Sequence, residues 1–344
     1  MISDYITFES ARATQAESLQ RAVERLTEEI GGRQAAGLLQ GPGPIFVGIG
    51  ASLAAVAAPV WGLRSRGIHS WRLGSGDLPL PFPTTDHPII GVSQSGRSAE
   101  TLAVLETLNP VQRFAVVNNT PSPIADVVGD RAISLGNIPD SYASTVGFTA
   151  TIAALGLLAD SWNGGAIGSD WLALGDRFHE VEAEVGLRAA DLASTFAGVS
   201  SADFVGAGPA VGSAEEGALL FREVARLPST AMSTRTYLHG SMESAGSGVH
   251  VLFGDGRELE MADTLSEAGH KVILITGADV TPSLRLQVVR LPQIAAAPRA
   301  ILEALVVQIL VEEVANQAGV DIEEFVFTNS DTKIENSPMG GAGQ

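Results

Sequence analysis

The sequence predicts an α/β protein of two tandem domains, each with a doubly wound parallel sheet flanked by helices in an αβα sandwich. The chain has 344 residues, of which 45% are hydrophobic, and this is enough for two domains with real cores. Short apolar runs alternate with helical patterns, which is typical of parallel strands covered on both faces. The order of these elements repeats in the two halves of the chain, and this repeat predicts the tandem arrangement.

The repeated unit begins with a strand, a glycine turn and a helix. Residues 45–50 read Ile-Phe-Val-Gly-Ile-Gly and residues 203–208 read Asp-Phe-Val-Gly-Ala-Gly, each ahead of an Ala-rich helical stretch. Further strands follow in the same order in both halves: 88–93 with 248–253, 114–119 with 272–277, and 132–135 with 287–291. A final apolar helix ends each half, so we interpret the chain as an internal duplication.

Helical segments flank and join the two units. A charged amphipathic helix is predicted over residues 9–30, ahead of the first unit. A polar helical bridge between the units has an apolar side formed by Trp171, Leu172, Leu174, Phe178, Val181 and Val185. The predicted organisation is an N-terminal helix in residues 1–35, a first domain in 36–164, the bridge in 165–200, a second domain in 201–335 and a flexible Gly-rich tail in 336–344.

Composition excludes several classes of partner and site. The formal net charge of −18 argues against binding to nucleic acid or to an anionic membrane surface. The chain has no cysteine and only six scattered histidines, so we expect no metal site and no cofactor. The N-terminus carries acids where a signal peptide carries basic residues, which predicts a cytoplasmic protein. The uncharged stretch 34–63 is broken by Gly and Pro, so we predict no membrane span.

A hydroxyl-rich turn after one predicted strand is the strongest chemical signal. Residues 91–98 read Gly-Val-Ser-Gln-Ser-Gly-Arg-Ser, and a helix is predicted to begin near Ser98. The turn therefore lies at a helix N-terminus on the carboxyl edge of the sheet, where anions bind in such folds. Ser98 alone could be an ordinary helix cap. Three serines, a glutamine and a glycine exceed what a cap requires, so we predict a phosphate site.

This turn, together with the Gly-x-Gly-x-Ser pattern at residues 48–52, resembles the sugar isomerase (SIS) domain. The two-copy layout is similar to the isomerase portion of glucosamine-6-phosphate synthase and to its deaminase and deglycase relatives, over roughly residues 40–335. The resemblance implies two tandem SIS domains, a phosphosugar ligand and a homodimer. It places phosphate binding on Ser93, Gln94, Ser95 and Ser98, and sugar contacts on Ser52 and on Ser144 of the Ala-Ser-Thr stretch.

The second half carries the implied catalytic residues. Residues 215–223, Glu-Glu-Gly-Ala-Leu-Leu-Phe-Arg-Glu, resemble the helix that holds the family's base, which falls on Glu223. A His-Gly pair follows at the family's spacing and puts the ring-opening histidine on His239, lent by the other subunit of a dimer. In the family the glutamate moves a proton between the first two sugar carbons.

The helix pattern gives independent support for Glu223 as a base. Glu216, Leu220 and Glu223 share one helix face, and partial burial beside apolar residues would raise the pKa of Glu223 toward neutrality. The alternative is an exposed acid paired with Arg222 or Arg226.

Several family lysines are absent. Leu220 and Val146 stand at two of these positions, and the C-terminal lysine has no match in residues 328–331, although Lys333 follows closely. These departures weaken the expectation of Schiff-base chemistry. The predicted function is an enzyme without a glutaminase domain that acts on a hexose or amino-hexose phosphate, by aldose–ketose isomerisation or deamination through an enediol-type intermediate. The alternatives are a phosphosugar sensor without catalysis, a fructosamine-phosphate deglycase and, on incomplete glycine motifs, a nicotinamide oxidoreductase.

Overall fold

The computed structural model describes residues 5–327, 329 and 331–334. Within these residues the chain forms two sheets of five strands each, covered by helices. The strands are β1 Ile45–Gly48, β2 Trp71–Gly74, β3 Ile89–Ser93, β4 Arg113–Val117, β5 Ala132–Ser134, β6 Ala202–Gly206, β7 Ser229–Ser233, β8 Val249–Phe253, β9 Lys271–Thr276 and β10 Leu286–Arg290. The helices are α1 Phe8–Ala13, α2 Gln15–Ala35, α3 Ala51–Ala54, α4 Ala57–Ser65, α5 Ala99–Glu106, α6 Pro123–Val128, α7 Val146–Ser161, α8 Asp170–Ser194, α9 Val211–Glu223, α10 Thr234–Leu238, α11 Arg257–Glu267 and α12 Ala296–Ala318.

The two sheets have the same strand order. The first runs β2-β1-β3-β4-β5, and the second, in the equivalent direction, runs β7-β6-β8-β9-β10. The pairing is parallel in both, with Val47 opposite Gly91 in the first sheet and Phe204 opposite Val251 in the second. The predicted fold, two doubly wound parallel sheets in tandem, is confirmed.

Two strands, β2 and β7, are missing from the sequence-based prediction. Each lies at an edge of its sheet. The residues of β2 are exposed or half-buried, and in β7 only the first residue is buried. An edge strand covered on fewer sides does not need the continuous apolar run that marks a central strand, so the pattern has no strong signal there.

The N-terminal helical region is two helices rather than one. The first ends at Ala13 and the second begins at Gln15, whereas the pattern predicts one helix over 9–30. The longer helix, α2, packs against α7 and buries Leu19, Leu26 and other apolar residues. No helix in the described part of the chain is long and apolar enough to cross a membrane.

The long helix α8 lies within the predicted bridge of residues 165–200. Five of the six residues predicted for its apolar side are buried, but the prediction is wrong for Leu172, whose side chain is 88% exposed. Leu172 directly follows Trp171, and consecutive helical residues point about 100° apart, so only one of the two faces the core. The predicted flexible tail, residues 336–344, lies outside the described residues.

Helix α9 of the second half packs against α3 of the first half, and this contact brings the two halves together at one site. A Cβ atom at Gly212 would lie 2.4 Å from the carbonyl oxygen of Ala54, so only glycine allows the backbones to approach this closely. Arg72 of β2 forms a two-pronged ion pair with Glu215 of α9. The residues on α9 are thereby carried to the carboxyl edge of the first sheet.

Candidate functional site

A cavity of about 240 Å³ lies at the carboxyl edge of the first sheet, closed on one side by α9. The sequence-predicted residues that line it are Ser52, Gln94, Ser95, Ser98, Ser144 and Glu223. The structure adds several residues to this lining, among them Tyr142, Glu216, Leu219 and Lys333. A second cavity of about 490 Å³ adjoins it and shares Gln94, Ser95 and Lys333.

The serine turn follows β3 and leads into α5. Ser93 is buried behind the turn, and its Oγ lies 2.9 Å from the Oγ of Ser98. Ser98 occupies the N-cap position of α5, but its hydroxyl makes no capping hydrogen bond. Capping therefore does not account for this serine, which lines the cavity.

Glycines shape both turns that border the cavity. Gly96 has a φ of +66°, and a Cβ there would lie 2.1 Å from the Oγ of Ser122. Gly50, with a φ of +57°, precedes α3 and places Ser52 in its first turn. Both positions have a positive φ, which glycine adopts readily, and Gly96 also needs the space left by the missing Cβ.

Asp140 organises one wall of the cavity, and the sequence analysis misses it. Its carboxylate accepts hydrogen bonds from the hydroxyls of Ser144 and Thr145 at 2.7 Å and from the backbone N–H of Gly147 at 2.9 Å. Gln94 Nε2 also donates to it, at 3.2 Å. Burial raises the pKa of Asp140, while these serine, threonine and backbone donors lower it. Asp140 thus holds two cavity residues and the start of α7 in place.

Glu223 is the last residue of α9 and is half-buried. Burial raises the pKa of Glu223 to about 7, against the positive charge of Lys333, which lowers it. Arg222 Nε donates to the carbonyl of Ser229, and Arg226 donates to the carbonyl of Glu324. Both arginines are thus engaged away from Glu223, which disfavours the alternative of a surface ion pair.

Lys333 lies at the cavity and is brought there by backbone contacts. The C-terminal segment crosses the start of α5, where Ala99 N–H donates to the carbonyl of Thr332 and Ile334 N–H donates to the carbonyl of Arg97. The Lys333 ammonium lies 5.2 Å from the centre of the Tyr142 ring. By sequence spacing, no residue matches the C-terminal lysine of the family. In the structure, Lys333 places a positive charge at this cavity.

The structure does not bring His239 to the cavity. It is an exposed residue that follows α10, and its backbone N–H donates to the carbonyls of Arg235 and Thr236. In a single chain it is therefore not among the residues that line the site. Among the described residues, no group of three or more histidines or acids is arranged to hold a metal ion.

Comparison with known proteins identifies one relative by sequence. No protein-family model matches the chain. The isomerizing glutamine--fructose-6-phosphate aminotransferase of Gluconobacter oxydans (strain 621H) is 28% identical over an alignment of 257 residues, and the match covers 68% of this chain and 42% of that protein. The chain thus spans less than half of the length of this relative.

Solved structures extend the likeness to nearly the whole chain. The C-terminal domain of glucosamine-fructose-6-phosphate aminotransferase from Francisella tularensis has a TM-score of 0.73 at 17% identity, covering 93% of this chain and 99% of that one. Tagatose-6-phosphate ketose/aldose isomerase from Escherichia coli has a TM-score of 0.78 at 18% identity, with 93% and 96% covered. Glucosamine-6-phosphate deaminase from Thermotoga maritima has a TM-score of 0.67 at 18% identity, with 90% and 96% covered. The chain is therefore similar in sequence to a glutamine--fructose-6-phosphate aminotransferase and has the double sugar-isomerase fold of the C-terminal domain from Francisella tularensis.

Proposed function

We propose that the protein processes a phosphorylated hexose or amino-hexose, by aldose–ketose isomerisation or by deamination through an enediol-type intermediate. The observation that carries this proposal is one cavity that joins the serine turn, Glu223 and Lys333. The pKa of Glu223 is raised to about 7, and a carboxyl with that pKa can both accept and return protons near neutral pH. The names of the structural neighbours, which include an isomerase and a deaminase of sugar phosphates, support the same chemistry.

The serine turn is the proposed phosphate site. Gln94, Ser95 and Ser98 line the cavity at the N-terminus of α5, where backbone N–H groups and the helix dipole favour an anion. With a net charge of −18, the surface as a whole repels anions. Hydroxyls, amides and one helix end can hold a single phosphate without a cluster of lysines.

The proposed reaction is a proton transfer at the other end of the cavity. With the phosphate in the turn, the open-chain sugar lies along Ser52 and Ser144 and presents its first two carbons to Glu223. The carboxylate takes a proton from the carbon next to the carbonyl, and the electron pair moves onto the carbonyl oxygen. The Lys333 ammonium stabilises the resulting negative charge. The hydroxyl on the carbon that lost its proton then passes its own proton to the former carbonyl oxygen and becomes the new carbonyl. At the same time the protonated Glu223 returns its proton to the former carbonyl carbon, which completes the isomerisation.

Deuterium exchange tests this proposal. We expect the protein in D₂O to replace the hydrogen on the carbon next to the carbonyl of a ketohexose phosphate, as measured by mass spectrometry. A thermal shift with the same sugar phosphate reports binding separately, because a ligand that binds only the native state raises Tm. Binding without exchange would contradict an enzyme and favour the phosphosugar sensor. Release of ammonia from an amino-hexose phosphate, or of an amine from a fructosamine phosphate, would identify deamination or deglycation.

We further propose that the active unit is a homodimer in which His239 of one chain serves the cavity of the other. The supporting observation is that His239 is exposed and lies apart from the cavity of its own chain. A mixed dimer of Glu223→Gln and His239→Ala chains tests this arrangement. If His239 acts on the cavity of the partner chain, one of the two sites in the mixed dimer has both residues intact. Random pairing of equal amounts of the two variants makes half of the dimers mixed. Co-refolding the two inactive variants should therefore restore about a quarter of the active sites of the wild type. No restoration, or a monomeric protein by sedimentation, would contradict the homodimer.

A further inference from the structure

A second acidic residue, Glu216, lines the cavity. Glu216 precedes Glu223 by two helical turns on α9 and is only 1% exposed. Its Oε2 atom is buried and has no hydrogen-bond partner among the described residues. A buried polar group without a partner destabilises the fold, so a role in binding or catalysis has to be considered.

The neighbours of Glu216 do not neutralise it. Leu220 lies between it and Glu223 on the same helix face, where the family resemblance has a lysine. The charged groups that face it are two acids, Glu223 and Asp140, with Lys333 across the cavity. Burial raises the pKa of Glu216 well above its ordinary value, and the negative charges of Glu223 and Asp140 raise it further. Burial and the neighbouring negative charges therefore both favour the protonated form of this carboxyl group.

Several charged groups on elements close to α9 have partners of their own. Arg72 pairs with Glu215, the residue next to Glu216. On α12, Arg299 pairs with Asp255 and with Glu303. Two adjacent acids on α9 thus differ in their surroundings. Glu215 is paired with an arginine, whereas Glu216 has no arginine partner among the described residues.

We infer that Glu216 is a neutral carboxylic acid that donates a hydrogen bond from its buried side chain to the substrate oxygen beside the carbons on which Glu223 acts. This inference rests on the proposed function and deepens it. The two acids divide the work, because a neutral acid can donate to a developing oxyanion while the ionised Glu223 accepts the proton from carbon. The hydrogen bond strengthens as the oxygen gains charge, so it stabilises the transition state more than the bound sugar.

Two variants separate this role from simple core packing. Glu216→Gln keeps a neutral donor, so we expect exchange to fall by no more than about tenfold and sugar-phosphate binding to remain. Glu216→Met keeps a similar volume without a donor, and we expect exchange to fall by about 10²-fold or more. We also expect Tm to rise in Glu216→Met, because the unpartnered polar group is gone. Full exchange in Glu216→Met, or equal losses in both variants, would overturn the inference.

The pH dependence of stability tests the protonation state without any need for catalysis. The folded-state pKa of Glu216 is raised, so its contribution to stability is present below the unfolded-state value of 4.5 and is lost as the pH rises above it. Glu216→Gln has no such loss, so the Tm of the variant minus the Tm of the wild type should increase between pH 5 and pH 8. A difference that stays constant would show an ionised Glu216 and overturn the inference.

A spectroscopic measurement distinguishes failure of this inference from failure of the proposed function. At neutral pH, subtracting the infrared spectrum of Glu216→Gln from that of the wild type should leave the carbonyl band of a protonated carboxylic acid, because Glu223, which is also partly protonated, is common to both proteins. The matched control Glu215→Gln, whose wild-type carboxylate is paired with Arg72, should keep the band. A wild type that shows the band but no exchange would contradict only the proposed function. A wild type that exchanges without the band would contradict only the role of Glu216.

Discussion

Glu223→Gln is expected to slow deuterium exchange by about 10²–10⁴-fold, the usual contribution of a general base, while a hexose phosphate still binds. The amide has nearly the same shape as the carboxyl group but cannot accept a proton from carbon. Because the proposed phosphate contacts come from the serine turn and not from Glu223, affinity for the phosphate should change little. The measurement pairs exchange by mass spectrometry with a thermal shift for binding.

A matched control is available on the surface of the second half. Glu267 ends α11 and is exposed, so Glu267→Gln makes the same chemical change away from the cavity and should leave exchange intact. Full exchange in Glu223→Gln would show that another group is the base. Loss of both exchange and binding would show instead that Glu223 holds the sugar.

The pH dependence should identify the same residue. The ionised carboxylate is the active form, and burial raises the pKa of Glu223 to about 7, so wild-type exchange should increase with pH and level off above this value. Stability should respond in the opposite sense. An acid whose pKa is raised by folding stabilises the fold while it is protonated. For Glu223 this contribution is lost between pH 4.5 and about 7 as the pH rises. The Tm difference between Glu223→Gln and the wild type should therefore widen across that interval.

Local patterns predict the central strands and six of the residues that line the cavity, because both depend on short stretches of sequence. A buried parallel strand is a continuous apolar run, and the turn after it carries the polar residues that meet at the carboxyl edge of the sheet. Residues 91–98 therefore indicate both β3 and the serine turn. The same patterns miss β2 and β7, which lie at the edges and mix polar with apolar residues.

The remaining parts of the site depend on contacts between distant segments. Asp140 has no unusual local pattern, and its importance comes from donors on Gln94, Ser144 and Gly147. Glu216 reads as one of several acids on an amphipathic helix until α9 packs over the first sheet. Helix spacing correctly predicts its face but not the absence of a partner for its Oε2 among the described residues.

Lys333 is the clearest case of a site residue that spacing alone does not assign. The matching region of the family, residues 328–331, has no lysine, and no short motif surrounds Lys333. Backbone hydrogen bonds to Arg97 and Ala99 bring its segment across the start of α5. Its position next to Tyr142 and Glu223 therefore follows from tertiary pairing of the chain end with the serine turn.

Lys333→Met is expected to slow exchange by about 10–10²-fold and to shift its pH midpoint upward from about 7. The positive charge of Lys333 lowers the pKa of Glu223, so its removal leaves burial unopposed and raises that pKa. The slower rate follows because the ammonium no longer stabilises the charge that develops on the substrate oxygen. The measurement is the pH profile of deuterium exchange at saturating sugar phosphate.

The chain provides an internal control, since its two lysines lie in different surroundings. Lys271 donates to the carbonyls of Thr195 and Ala197, away from the cavity, so Lys271→Met should leave the midpoint and the rate unchanged. Lys333→Arg keeps the charge and should keep the midpoint near that of the wild type. Because Lys333 is exposed, added salt screens its effect on Glu223, and the wild-type midpoint should rise with ionic strength while that of Lys333→Met stays fixed. Equal salt responses in the two proteins would show that Lys333 does not act on Glu223, and the charge stabilisation in the proposed reaction would then need another source.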